Sequence, residues 1–410
     1  MAPSWFDASM RILFSTVPAH GHLLPMLPLA DAARRAGHDV VVASGREGAV
    51  EARARGFATW EVGPSRAEAD AAFRAAVPDL AAVAPDRRIP TVIGGVFGAA
   101  SFRRAEALVP QALEWGPDVV VHSISELAGA VVAARTGSRH VVHGLGPLPP
   151  DAWSWFGSVV PELGAAWDVP TLHRTIVDAP YVDLCPPSLQ RDAVAAFRNR
   201  LAQRPSAGDE TSDRAPWDQH ALDRLPYERT VHLTLGTIFH GATGVFETVL
   251  AGLRPLPVNV VVTVGPNADP ARLGPQPANV LVSDYAPHAA LLPRCDALIT
   301  QGGAGTILAA LLHGLPHLLL PQGADQFLNA ETALRAGVAR RILPDDLTAD
   351  AVTDHVAQLL DDDVMRARAR QVQAEIADMP SADDVLATIT SGSLQPPRVS
   401  DPAPFLDAEV

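Results

Sequence analysis

Apolar positions along the chain come in short, nearly continuous runs, each followed by a longer stretch where they recur every three or four residues. The run RILFST predicts a strand over 11–16. Residues 23–36 then read as a helix that Gly37 closes at its C-cap, and HDVVVA as a strand over 38–43. The alternation repeats, with a strand over 118–122, a helix over 125–136 capped by Gly137, and a strand over 139–143. Strand–helix–strand units of this kind build parallel sheets. Strands without a polar side suit a sheet covered on both faces.

The pattern fails around 203–226, a polar segment rich in Pro, Asp and Ser that reads as the connection between domains. Regular units then resume. Strands are expected over 230–235, 258–264, 280–283, 296–300 and 316–320, with helices over 243–253, 303–313 and 325–336. A helical stretch covers about 348–390, the last twenty residues read as a frayed tail, and residues 1–10 as a loose leader. The expected fold is α/β, with an N-terminal Rossmann-like domain over 1–215, a second over 216–380, and a C-terminal helix and tail over 381–410. Two such domains facing each other make the cleft between them the default ligand site.

Composition narrows the chemistry. The chain has 410 residues, enough for two ordinary domains, and a net charge of −14. All 32 basic residues are arginine. Without lysine there is no P-loop lysine, no pyridoxal Schiff base and no Ser-Lys dyad. Two cysteines, Cys185 and Cys295, are too few for a cysteine zinc site, an iron–sulfur cluster or a disulfide framework, and read as small buried hydrophobes. The acidic balance argues against nucleic acid and anionic membrane as partners. No apolar run reaches the length of a membrane span, and the start of the chain lacks a signal-peptide layout, so a reducing cytoplasm is the expected setting.

The densest chemical signal lies over 297–330, ALITQGGAGTILAALLHGLPHLLLPQGADQFLNA. A strand ends there in a glycine turn that opens a helix. Exposed N–H groups and the helix dipole at such a place favour an anion, so a diphosphate can be held without lysine or metal. Alone, GGAGT is equally an ordinary strand-to-helix turn. The next strand ends in Asp325 and Gln326, an acceptor-only carboxylate beside an amide, suited to gripping sugar hydroxyls; Asp325 is also placed to cap the following helix. A second signal is PAHGHLLP after the first strand, where His20 and His22 bracket a glycine. A neutral histidine takes a proton from a hydroxyl near pH 7, and either ring is equally able to serve the turn alone. Trp153, Trp155 and Phe156, with Phe97 and Phe102, are candidates to line a pocket for a flat acceptor or to pack their own loops. The acidic run Asp361–Asp363 reads as a solvated helix end, and His313 and His317 as structural.

These motifs together resemble the antibiotic-type glycosyltransferases of family 1, which use nucleotide sugars to decorate macrolides, aromatic polyketides and enediynes. The resemblance runs from Met10 to about Ile389 and rests on AHGHLLPMLPLA, LTLGTIF at 233–239, DYAP at 284–287 and the segment from Gln301. It implies the GT-B fold, two Rossmann-like domains with parallel sheets facing across a cleft. It further implies an inverting single displacement with His22 as the general base and His20 as the lesser candidate. Gly236 and Thr237 then touch the phosphates, Tyr285 stacks on the nucleotide base, and Ala286 offers it main-chain hydrogen bonds. Gly303, Ala304, Gly305 and Thr306 hold the diphosphate, and Asp325 and Gln326 the donor sugar. No cofactor or metal is expected beyond a TDP-sugar co-substrate. The acceptor is a small hydrophobic or aromatic natural product, and general base rates make a homodimer the default assembly.

Two positions depart from the family's pattern. Gln301 stands where relatives carry a histidine before the double glycine, which keeps a hydrogen-bond donor and removes a charge. Ser123 stands where relatives carry an aspartate that orients and charges the base. Either Glu126 substitutes for it, or His22 acts alone on an acidic hydroxyl such as a phenol, whose pKa is about 10. Other readings remain at this level: a UDP-sugar donor, a sugar-nucleotide epimerase of the same fold, and a non-catalytic helper that binds nucleotide sugar or product.

Overall fold

Segments such as VVVAS, VVVHS and VNVVVT carry β-branched side chains on both sides of the strand, which a sheet buried on both faces accommodates. The computed structural model describes residues 9–83, 88, 91–148, 156, 159–191, 194–195, 197, 199–207, 217–236, 243–265 and 268–391. It divides into two units: Met1–Leu184, Arg191–Gln203 and Pro380–Val410 form the first, Cys185–Gln190 and Arg204–Met379 the second. Of the expected connection over 203–226, residues 208–216 lie outside the described residues.

Unit 1 holds seven strands: β1 (Arg11–Ser15), β2 (Asp39–Ser44), β3 (Ala58–Glu61), β4 (Val119–Ser123), β5 (Arg139–His143), β6 (Tyr181–Asp183) and β7 (Arg200–Ala202). They form one parallel sheet in the order β3-β2-β1-β4-β5-β6-β7. Leu13, Val41, Val120 and Val142 enter the core on one face, and Ile12, Phe14, Val40, Val121 and Val141 the core on the other. The second core also takes Val385, Leu386 and Ile389 from the helix Ala382–Thr390. That helix is fixed to unit 1 by Arg35 pairing with Asp383 at 2.9 Å and by Arg139 Nη1 donating to the Ile389 carbonyl at 3.0 Å.

Unit 2 holds β8 (Arg229–Thr234), β9 (Val258–Thr263), β10 (Val280–Ser283), β11 (Ala297–Thr300), β12 (His317–Leu319) and β13 (Ala339–Arg341). Their order is β10-β9-β8-β11-β12-β13, again all parallel. Val231, Leu233, Val260 and Ile299 face one core, Val261 and Leu298 the other. Both sheets are the doubly wound arrangement expected, and the predicted strands appear within a residue or two.

Several details differ from the sequence reading. The helix expected over 23–36 is three pieces, His20–Leu23, a 3-10 turn Leu24–Met26, and Leu27–Arg35. Pro25 and Pro28 lack the N–H that one continuous helix would use there. The helix expected from 125 begins at Ala128, because the Glu126 side chain accepts from the Ala128 and Gly129 N–H groups and caps it. The C-terminal helical stretch is Ala349–Asp361, Asp363–Ala377 and Ala382–Thr390. Within the acidic run, Asp361 pairs with Arg229 at 2.8 Å, and Asp362 caps the next helix through the Met365 N–H at 2.9 Å. The short strands β3, β6, β7 and β13 read ATWE, YVD, RLA and ARR, with no apolar run to announce them. Among the described residues, no helix is long and apolar enough to cross a membrane.

Candidate active site

In a doubly wound sheet, ligands bind beyond the carboxyl ends of the two strands where the order reverses. In unit 1 those strands are β1 and β4, which pair with Ser15 opposite His122. His22 follows the first of them and Ser123 ends the second. His22 lies partly buried in the short helix His20–Leu23, with Nδ1 3.4 Å from Ser123 Oγ. Its ring tilts against Phe97, with 5.3 Å between ring centroids. Phe97 belongs to a π-helical turn, Ile93–Gly98, leading into the helix Ala99–Trp115, and such turns gather at functional sites.

In the tautomer whose Nδ1–H donates to Ser123, Nε2 carries the lone pair. Nε2 has no hydrogen-bond partner among the described residues. Burial, then the charges of Arg66 and Arg104, push the His22 pKa down to about 3. The ring is therefore neutral at pH 7 and able to accept a proton. His20 differs: its Nε2 lies 3.9 Å from Glu51 Oε2, an ion pair at the surface when the ring is protonated.

Glu126 does not take the place of the missing carboxylate. Its fully buried side chain accepts from Ser15 Oγ at 2.7 Å and from the N–H groups of Ala128 and Gly129 at 3.0 and 2.8 Å. Arg104 Nη1 lies 3.7 Å from its Oε1, both side chains buried. Its acceptor capacity is committed to a helix start and a buried cation, and His22 has a hydroxyl for a partner instead. Phe156 lies buried in the core cluster of unit 1 that also holds Leu163 and Tyr181, and Phe102 packs against the same cluster. Trp153 and Trp155 lie outside the described residues.

In unit 2 the order reverses between β8 and β11, paired with Thr234 opposite Thr300. Gly236 follows β8 and Gln301 follows β11. The Thr300 hydroxyl donates to Gln301 Oε1 at 2.6 Å, which fixes the amide and turns Nε2 toward Gly236. A Cβ on Gly236 would stand 2.1 Å from that nitrogen, and Gly236 has φ +67°, so glycine is required twice over. Gly302 follows with φ +94° and Gly303 caps the helix Ala304–Leu311. The Thr306 N–H donates to the Gly303 carbonyl at 3.0 Å, which leaves Gly303, Ala304 and Gly305 as the residues whose N–H groups at that helix start are free to meet an anion. Thr237 lies outside the described residues. Tyr285 is partly exposed after β10, its N–H donating to Asp284 Oδ1 at 2.8 Å, and Ala286 behind it is buried.

Asp325 and Gln326 follow β12 and do different things. Asp325 occupies the N-cap position of the helix Gln326–Arg335, yet its side chain caps nothing. Oδ2 accepts from Asn329 Nδ2 at 2.9 Å, and burial raises its pKa. Gln326 is buried, and its Oε1 accepts the N–H groups of Gln322 and Gly323 at 2.8 and 3.2 Å, so it shapes its own loop. Ala324, just before them, is held at φ +53°. Asn329 was not anticipated. Its Nδ2 also donates to the Gly302 carbonyl at 3.1 Å, and the only sign of it in the sequence is its place four residues after Asp325, one helical turn on. Among the described residues no group of three or more His, Cys, Asp or Glu is arranged to hold a metal ion.

Known proteins carry the same architecture. A family model described as Erythromycin biosynthesis protein CIII-like, C-terminal domain, matches residues 247–391. The chain is 30% identical to the elloramycin glycosyltransferase ElmGT of Streptomyces olivaceus, over 93% of this chain and 97% of that protein. It is 31% identical to the L-demethylnoviosyl transferase of Streptomyces niveus, over 96% of this chain and 100% of that protein. Among solved structures it matches the glycosyltransferase SnogD from Streptomyces nogalater with a TM-score of 0.76 at 26% identity, covering 94% of this chain and 99% of that one. It matches the glycosyltransferase VinC in complex with dTDP with a TM-score of 0.72 at 25% identity, covering 93% and 100%.

Proposed function

Because the chain belongs to the glycosyltransferases of antibiotic biosynthesis, with their GT-B fold, we propose that it moves a deoxysugar from a TDP donor to a phenolic natural product. His22 is the base, and the anomeric centre is inverted. The observation that carries this reading is His22 itself: a neutral imidazole at the carboxyl edge of β1, held by Ser123 through Nδ1, with Nε2 unpartnered among the described residues.

The acceptor hydroxyl gives its proton to Nε2 as its oxygen bonds to the anomeric carbon. The bond from that carbon to the diphosphate breaks on the opposite face, and TDP leaves. A base with a pKa of about 3 and no carboxylate behind it takes a proton most readily from an acidic hydroxyl, which favours a phenol over an aliphatic alcohol. In unit 2 the charge gathering on the leaving diphosphate is met by the N-terminus of the helix Ala304–Leu311 and the amide of Gln301, with no metal required. Asp325 accepts a donor-sugar hydroxyl, and Tyr285 stacks on the base. The thymidine preference is supported by the dTDP held by VinC.

Transfer is tested with a panel of TDP-deoxysugars and phenolic polyketide acceptors, the anomeric configuration of the product being read by NMR. His22→Ala should lower kcat by about a hundredfold or more while leaving TDP binding unchanged. Undiminished transfer by His22→Ala, or a product with retained configuration, would overturn the assignment.

A further inference from the structure

Asn329 stands outside every motif role assigned above, is 4% exposed, and spends its amide on two other parts of unit 2. Its Nδ2 donates to the Gly302 carbonyl at 3.1 Å and to Asp325 Oδ2 at 2.9 Å. Both hydrogens of that nitrogen are thereby used, one on the turn before the helix Ala304–Leu311, the other on the carboxylate after β12. We propose that Asn329 is a positioning residue that couples the diphosphate turn to the sugar-gripping carboxylate, so that the two halves of the donor site are set by one side chain.

The geometry gives the coupling its direction. Gly302 has φ +94°, which an L side chain rarely adopts, so its carbonyl is aimed by this unusual backbone and held there by Asn329. Asp325 makes no cap bond to its own helix, so the amide of Asn329, together with the residue's own backbone N–H, orients it. With Asn329 holding the carboxylate through Oδ2, the proposed sugar hydroxyl meets it in a fixed orientation. Asn329 itself sits within the helix Gln326–Arg335, on a rigid element one turn beyond Asp325. Loss of its amide would free the turn and the carboxylate together.

This inference rests on the reading of unit 2 as a nucleotide-sugar site, and a calorimetric double-mutant cycle separates the two. TDP and TDP-glucose are titrated into the wild type, Asn329→Ala, Asp325→Ala and the double variant. The added affinity of TDP-glucose over TDP measures the sugar contacts alone. Asn329→Ala should cut that increment by about tenfold and weaken TDP itself severalfold. In the Asp325→Ala background, Asn329→Ala should still weaken TDP but leave the sugar increment unchanged. A sugar increment untouched by Asn329→Ala, or lowered equally in both backgrounds, would overturn the coupling. Failure of the wild type to bind either nucleotide would overturn the donor-site reading instead. Asn329→Leu, close in shape but with nothing to donate, repeats the measurement should the alanine variant unfold, and is expected to lose the sugar increment in the same way.

Discussion

The amide nitrogen of Gln301 occupies the space in which any side chain on Gly236 would begin, 2.1 Å from an added Cβ. The two residues end neighbouring strands, β8 and β11, at the place where the sheet of unit 2 reverses its order. A neutral amide fixed by the Thr300 hydroxyl therefore stands at the place proposed to face the diphosphate.

Gly236→Ala should therefore weaken TDP binding by more than about tenfold, since it meets both a clash and a positive φ. Adding Gln301→Ala removes the clash but not the strain, so the double variant should fold more stably than Gly236→Ala and still bind poorly. Thermal melting with calorimetry on the three variants checks both halves.

Gln301→His should make donor affinity pH-dependent. A histidine there is protonated below about pH 6.5 and would then add a charge-assisted bond to a phosphate oxygen. TDP-glucose affinity should rise as pH falls from about 8 to 5.5, while the wild type stays flat across that range. Calorimetry at several pH values reads the slope.

Ser123→Asp should supply the carboxylate that His22 lacks, because Ser123 Oγ already sits 3.4 Å from Nδ1. An opposite charge so close favours imidazolium and raises the His22 pKa from about 3. In the wild type, kcat/KM should stay level from about pH 8 to 5, with its acid limb below that. In the variant the acid limb should move upward, and aliphatic hydroxyls should become usable acceptors. A pH–rate profile on a phenol and an alcohol tests it.

His143 and His317 are fully buried, and burial lowers the pKa of each to about 4. The unfolded chain binds protons at these rings below about pH 6.5, while the folded protein does not until near 4. Stability is thus present above pH 6.5 and falls as pH drops through this window. Each ring should cost on the order of 2 kcal/mol by pH 5. A Tm that falls between pH 7 and 5, and falls less in His317→Gln, is the expected record.

Ala324 carries φ +53° in the loop that presents Asp325. Glycine takes that conformation freely but loses more chain entropy on folding, so Ala324→Gly should stabilise by no more than about 1 kcal/mol. The readout is a small rise in Tm, with the sugar increment in donor affinity reduced as the loop loosens.

Local pattern determined the strands β1, β2, β4, β5, β8, β9, β10, β11 and β12, the glycine caps and the positions of His22, Gly303 and Asp325, because each follows from neighbours within a few residues. The short strands β3, β6, β7 and β13 did not announce themselves, since three or four residues such as YVD or ARR acquire strand geometry only by pairing with a formed neighbour. The roles of Glu126, Phe156 and Gln326 were also beyond the sequence. Whether a carboxylate faces a histidine or caps a helix depends on which donors the fold brings within 3 Å of it, and Ser15, 111 positions away in the chain, is one of them. Asn329 is the same case in reverse. Its spacing from Asp325 was visible, but its bond to Gly302 spans 27 residues and exists only once β11 and β12 lie side by side.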